Sequence, residues 1–398
     1  MSSVSQVSGG AAARFLSTRT GSIWSDVLAA ADASDGAKRR ADAASEGLER
    51  FVSEVLLAEN LVVLCGLGSA RSARNCRGVV AAPSMSDLWA AAEAKAGANF
   101  SEISANAKYK KVGPADNIEV LLSACQLANA FSESDSLTTF ISETEALIVS
   151  KCRFVDGNTD LSTHETFLRK VARRSTRQPR LKLFTTNYDL CFEAAAYRIH
   201  LVVVDGFSHA NPQEFDGSYF GYDFVRREQD RESPDYIPNV FHLYKLHGSV
   251  DWELHDRLIR RSAEPEKPLI IYPRHSKFEL SYDQPFLEMM SRLQLGLRQP
   301  NTGLLVVGFG FNDFHIAQPI LSAVRSNVGL RCLIVDPALE GSTNEYLTEC
   351  SQLAMAGDHR LGLFSGTFEE LVPRIPDLVA ETEAELHRKR LLKVKALP

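Results

Sequence analysis

The sequence predicts an α/β fold with a doubly wound, mostly parallel sheet, a helical insertion after the first strand and helical extensions at both ends. Three observations carry this expectation. Short continuous apolar runs recur between residues 60 and 340, and such runs suit strands buried on both faces. Segments of helical periodicity separate many of them, and strands alternating with helices wind into a parallel sheet. Several of the runs end directly in Gly, Asn, Asp or His, the residue types that line ligand crevices beyond the carboxyl ends of parallel strands.

Taken in order, residues 1 to about 20 are rich in Ser, Gly and Ala, lack an apolar signal core and are expected to be a mobile lead-in. Apolar residues at helical spacing from Ile23 to Leu57 predict two helices. Asn60–Cys65 is the first strand. No strand is expected from about Met85 to Ala172, where Asp87–Ala96, Asn117–Phe131, Leu137–Ser150 and Thr163–Ala172 have helical patterns. Strands resume at Leu181–Thr186, Leu201–Val204, Phe241–Leu246, Leu269–Tyr272, Gly303–Val307 and Arg331–Val335, with a crossover helix over Ile316–Ser326. Glu369–Lys393 reads as a charged helical tail interrupted near Pro373 and Pro376. The expected organisation is an N-terminal helical extension over residues 1–58, a nucleotide-binding unit over 59–340 with its insertion at about 85–175, and a C-terminal helical tail over 341–398.

Composition sets outer bounds. Of 398 residues, 44% are hydrophobic and 24% charged, enough to bury a large core. A net charge of -6 gives no overall positive field to attract nucleic acid or a membrane surface. Local basic runs such as Arg169–Arg174 and Arg388–Arg390 read as solvated faces. Without an apolar run of spanning length, no membrane span is expected. The seven cysteines are scattered, with no C-x-x-C pair, so no structural zinc site and no other metal is expected. They read as reduced thiols of a cytoplasmic protein.

Five strand ends can carry chemistry. Gly66-Leu67-Gly68-Ser69 follows the first strand, where it serves either as a close-approach loop for a pyrophosphate or as a tight corner. Thr185-Thr186-Asn187-Tyr188-Asp189 offers hydroxyl, carboxamide and carboxylate groups to a sugar, or else caps the next helix. Lys245-Leu246-His247-Gly248 presents a histidine, whose ordinary pKa near neutrality suits proton transfer, though a lone histidine also serves as a structural hydrogen-bonder. Gly308-Phe309-Gly310-Phe311-Asn312-Asp313 puts two glycines past the most apolar strand. Asp336-Pro337 supplies either a ribose-binding acid or a turn.

The order Gly-x-Gly-Ser, Thr-Asn-x-Asp, Leu-His-Gly, Gly-x-Gly-x-Asn-Asp resembles the sirtuin family, and more closely the sirtuin-like NAD hydrolase domains of bacterial antiphage defence. Pro83–Leu88 and Asn117–Leu122 also fit that group, and the likeness extends over about residues 60–340. The resemblance implies a Rossmann-like sheet that takes NAD as substrate. It implies that Gly66, Gly68 and Ser69 hold the pyrophosphate, and that Thr186, Asn187 and Asp189 meet the nicotinamide ribose and carboxamide. His247 would act on the ribose hydroxyls, with Asn187, His247 and Asp189 as the catalytic group. Gly308, Phe309 and Gly310 would line the adenosine side, and Asp336 its ribose. The chain departs from the family in a longer, more basic stretch from Arg71 to Val80, in Gly308–Phe311, where deacetylases place a Gly-Thr/Ser-Ser turn, and in lacking the deacetylases' zinc module.

The expected reaction is cleavage of the nicotinamide–ribose bond of NAD with water as acceptor, in a cytoplasmic effector that depletes NAD. Two other readings stay open: an NAD-dependent lysine deacylase of the same fold, and a non-catalytic NAD- or ADP-ribose-binding sensor or assembly module. Because unrestrained NAD hydrolysis would kill the host, the resemblance also implies control through homo-oligomerisation or through a HerA-like ATPase partner.

Overall fold

The computed structural model describes residues 13–30, 32–111, 116–227, 235–266, 268–270, 284–378 and 387. Their strands are β1 (Arg14–Leu16), β2 (Ser25–Asp26), β3 (Asn60–Cys65), β4 (Leu181–Thr185), β5 (Val202–Val204), β6 (Val225–Arg226) and β7 (Asp235–Tyr236). β8 (Val240–Lys245), β9 (Gly248–His255), β10 (Leu258–Arg261), β11 (Pro268–Ile270), β12 (Thr302–Val307), β13 (Leu330–Val335) and β14 (Leu361–Ser365) follow. The helices are α1 (Asp35–Leu56), α2 (Leu67–Ala70), α3 (Met85–Ala96), α4 (Phe100–Asn106), α5 (Ile118–Phe131) and α6 (Asp135–Cys152). After them come α7 (Ser162–Val171), α8 (Cys191–Arg198), α9 (Phe286–Arg298), α10 (Phe314–Ser326), α11 (Glu345–Met355) and α12 (Phe368–Leu371).

One sheet dominates, in the order β2-β1-β14-β13-β12-β3-β4-β8-β5. From β14 to β5 every pairing is parallel, and β1 and β2 add two antiparallel strands at one edge. The fold is thus the Rossmann-like α/β class that the apolar runs predict. β3 shows how the sequence makes two layers. Leu61, Val63 and Cys65 pack on one face with Phe51 of α1, Phe167 of α7 and Phe192 of α8. Val62 and Leu64 pack on the other with Leu293 of α9 and Ile320 of α10. Alternate residues of a strand point to opposite faces, so a continuous apolar run feeds both cores.

The helical insertion after β3 is present as expected, with α4 as an additional short helix. It has a core of its own, including Phe100, Ile118, Leu122 and Phe140, which also takes in Ile270. Ser84 opens α3 with a reciprocal cap, accepting from the Asp87 amide while the Asp87 carboxylate accepts from the Ser84 amide.

Both ends differ from expectation. Arg14–Leu16, read as mobile lead-in, is a strand paired with β14. The stretch from Ile23 to Leu57 holds β2 and the single 22-residue α1 rather than two helices. Beyond residue 340, α11 and β14 complete the main sheet, so this region is no helical tail; of Glu369–Lys393, the part beyond residue 378 lies outside the described residues except for position 387, as does the Arg388–Arg390 run. Pro268–Ile270 pairs with β9 in a small antiparallel sheet of order β10-β9-β11 instead of joining the main one, and residues 271 and 272 lie outside the described residues.

Candidate functional site

The register of the sheet brings the candidate segments together. Val335, Val307, Cys65, Thr185 and Lys245 are successive partners across β13, β12, β3, β4 and β8. Each ends its strand, so Asp336, Gly308, Gly66, Thr186 and Leu246 begin the loops along one rim. β3 is the turning point: the chain goes from it outward to β4 and β8, then returns across the sheet to β12 on its other side. Ligands in open α/β sheets bind at such a reversal of strand order.

At this point the glycines meet each other. A Cβ built on Gly68 would lie 2.5 Å from the Gly308 Cα, and one on Gly66 would lie 2.6 Å from the Gly308 oxygen. Gly308 itself has a φ of +59°, and its own Cβ would sit 2.4 Å from the Gly68 Cα. The amide of Gly68 donates to the Gly308 oxygen at 3.0 Å, that of Gly66 to Val307 at 2.9 Å, and that of Ser69 to Gly66 at 3.0 Å. These three amides are therefore occupied within the protein, and the glycines allow two loops to touch backbone to backbone. Gly308→Ala is expected to cost about 2–4 kcal/mol, combining positive φ with overpacking, read as a lower urea midpoint at an unchanged slope.

Asn187 joins this loop. Its Nδ2 donates to the Gly66 oxygen at 3.1 Å and to Ser69 Oγ at 3.3 Å, while Ser69 Oγ donates to the same Gly66 oxygen at 2.7 Å. The donor half of the carboxamide is thus used internally, leaving the acceptor Oδ1 for a hydroxyl or water. The Thr186 amide bonds the Cys65 oxygen across the strands. Asp189 is buried, and its Oδ1 accepts from the Cys191 amide at 2.9 Å, so it also secures the start of α8.

Beneath these residues lies Lys245, 2% exposed. Its Nζ donates to the Tyr188 oxygen at 3.3 Å, to the Asp189 oxygen and to Glu193 Oε1 at 3.0 Å. One buried cation thereby ties the loop after β4 to the end of β8. Burial raises the Glu193 carboxyl above its ordinary range, against the pull of Lys245.

His247, on the turn between β8 and β9, is 3% exposed. Its Nε2 is 3.1 Å from Nε2 of His315 in the first turn of α10. Asp313, immediately before α10, joins them, with one ligand-type atom from each of the three residues within 4.8 Å of the others. The Tyr188 ring flanks His247 at 6.5 Å. Asn187 and His247 therefore stand on neighbouring strands at the same rim.

Residues 181–349 match the family model of the SIR2-like domain. The chain carries a sirtuin-like domain. SIR2-like domains bind NAD and are typically NAD-dependent enzymes. The matched span runs from β4 into α11 and contains Asn187, Asp189, His247, Asp313 and Asp336, whereas the Gly66–Ser69 loop lies before it and reaches the domain through β3. No curated protein matches the chain.

Within the sirtuin-like domain, the residues expected on the adenosine side divide. Gly308 and Gly310 remain on the rim. Phe309 turns its ring into the core, 3% exposed and 5.1 Å from the Phe311 ring. A ring at this position gains more from burial against Phe311 than from facing a polar ligand. Asp336 is half-buried, and its Oδ1 accepts from the Ala338 amide at 2.8 Å, closing the Asp-Pro turn. Burial raises its carboxyl pKa. The seven cysteines are all free, and five are buried. Among the described residues, no helix is long and apolar enough to cross a membrane.

His315 is absent from the expected site, and so is a second histidine behind the rim. His164 of α7 is fully buried between the Phe192 and Phe368 rings, with Nδ1 3.4 Å from Ser72 Oγ and no hydrogen-bond partner for Nε2. Burial pushes its pKa down to about 4, the Asp189 charge opposing. A histidine with a depressed native pKa binds fewer protons folded than unfolded between pH 4 and its ordinary value near 6.5. Its contribution is complete above that ordinary value and is lost as pH falls through the window. The expected loss between about pH 7 and about pH 5 is about 2 kcal/mol, checked by urea midpoints at those two values in native protein and in His164→Leu, which should flatten the slope.

Proposed function

We propose that this protein cleaves the nicotinamide–ribose bond of NAD, with water taking the ribose, and so depletes NAD as an effector of bacterial antiphage defence. The observation that carries the reading is the placement of Asn187 and His247 on adjacent strand ends beside the β3 reversal point, in a chain with a sirtuin-like domain. Departure of nicotinamide leaves an oxocarbenium-like ribose, and fixed dipoles along one face lower its energy relative to water. Asn187 Oδ1 orients the attacking water or a ribose hydroxyl. His247 takes the proton released as water adds. Asp189, Thr186 and Asp336 contact the sugars, and Gly66, Gly68, Ser69, Gly308 and Gly310 give the rim its shape next to the pyrophosphate.

Water is the acceptor in this reading because the scattered cysteines supply no zinc module to wall a groove for an acyl-lysine peptide. Control of the activity is assigned to a homo-oligomer or a HerA-like ATPase partner in the cytoplasm, with the insertion as a contact surface. Chromatography of products after incubation with NAD, with and without acetylated peptide, tests the reaction. Nicotinamide and bare ADP-ribose are expected. Acetylated ADP-ribose would establish the deacylase instead, and NAD binding without nicotinamide release would establish a sensor.

A further inference from the structure

We infer that His247, His315 and Asp313 form a site for a divalent ion of the zinc class, and that the ion, when bound, holds the protein inactive. The second half rests on the proposed NAD cleavage; the first does not. Three residues of two types among the preferred ligands of such ions converge here from two elements, the turn after β8 and the start of α10. The Nε2 atoms of His247 and His315 stand 3.1 Å apart. Two imidazole nitrogens on one tetrahedral zinc, each about 2.0–2.1 Å from the metal, are separated by roughly 3.3 Å. The ring placement therefore approximates that of two ligands on one ion, with the Asp313 carboxylate in reach as a third.

Asp313 occupies the position before α10 without a side-chain capping bond to the helix amides. Burial differs across the group: His247 is enclosed, while His315 and Asp313 are half-buried. An ion would thus have a fixed inner ligand and a route from solvent. Three protein ligands leave the fourth tetrahedral position to water.

The consequence for activity follows from a single atom. Nε2 of His247 shares a proton with His315 in the ion-free state; coordination requires that lone pair and displaces the proton to solvent. A metal-bound His247 cannot accept a proton from the adding water. Occupancy and turnover exclude each other.

Co²⁺ titration of the Cys76→Ser protein, followed by visible d–d absorption, tests the site; that background removes the one exposed thiol. One Co²⁺ per chain is expected, displaced by Zn²⁺. His315→Gln and Asp313→Asn should each weaken binding, the histidine change by about 100-fold or more, since even an outer-shell partner changes affinity about 10–100-fold. Metal-free melting curves matching the parent confirm that both variants fold. Absent absorption in the parent, or unchanged affinity in folded His315→Gln, would overturn the site. Nicotinamide release is then followed with Zn²⁺ and with chelator. Inhibition reversed by chelator supports the regulatory half, and undisturbed turnover at saturating Zn²⁺ overturns it. A chain that binds Co²⁺ through His315 yet never cleaves NAD keeps the metal site and removes the proposed reaction.

Discussion

Replacing Asn187 or His247 by alanine is expected to reduce nicotinamide release from NAD by about 10²–10⁴-fold, the usual effect of losing a positioned acid–base or orienting group. The two losses should differ in kind. Asn187 is held by Gly66 and Ser69, so Asn187→Ala removes both a water- or hydroxyl-orienting acceptor and a clasp between the β3 and β4 loops. Asn187→Asp keeps the acceptor but brings a carboxylate against the Gly66 carbonyl, and should recover little activity. His247→Ala removes the proton acceptor with less effect on the loops. Its kcat should fall with KM little changed, because the missing interaction develops during bond cleavage. Stopped assays with purified protein, quantifying nicotinamide, read both. Undiminished turnover in the two variants would remove them from the reaction.

The second large effect is structural. Lys245→Met should destabilise the fold by about 3–5 kcal/mol, because it leaves Glu193 without its cation and the Tyr188 and Asp189 carbonyls without a shared donor. The raised pKa of Glu193 moderates the loss: with the cation gone, the carboxyl can take up a proton instead of remaining charged. The double variant Lys245→Met, Glu193→Leu should therefore regain much of the stability, since an apolar pair often replaces a buried ion pair without penalty. Urea unfolding of the two single variants and the double variant measures the coupling. Strict additivity would show that Lys245 acts on the loop carbonyls alone.

Much of this architecture is legible in the chain because its central strands are continuous apolar runs. β3, β12 and β13 lie between two helical layers, so each needs hydrophobic side chains on both faces and announces itself without alternation. Asn187 and His247 are legible for the related reason that a polar residue directly after such a run must sit on the rim. The outer parts are harder to see. β1 has three residues, Arg14 to Leu16, and owes its conformation to pairing with a distant strand. β14 contains Gly362, a weak strand former, needed because a Cβ there would come within 2.8 Å of the Phe51 ring. The β9–β10 hairpin turns at Asp256 and Arg257 with φ of 48° and 68°, and lacks the Gly that usually signals such a turn.

His315 shows why a site is only partly readable. In sequence it is a single histidine opening an amphipathic helix, with nothing to distinguish it from a solvated one. Its meaning comes from the start of α10 lying beside the turn after β8, which brings it to His247 across 68 positions. The glycine loops teach the converse. Gly66, Gly68 and Gly308 are legible as special backbone positions, yet the sequence does not tell contact with a ligand from contact with each other. The crowding between them shows that loop-to-loop packing alone requires them.

The pairing of β1 with β14 joins Arg14 to Ser365 and Leu16 to Leu363, so a strand from the first part of this chain rests on one from its last part. During synthesis the early strand has no template, and the outer row of β13 amides and carbonyls stays open until residues 361–365 emerge. Closure of that side is thus a late, long-range event, of the kind that slows folding. The nascent protein carries a sticky margin through the last part of its assembly, and its soluble yield will be governed by how quickly the final zipper forms.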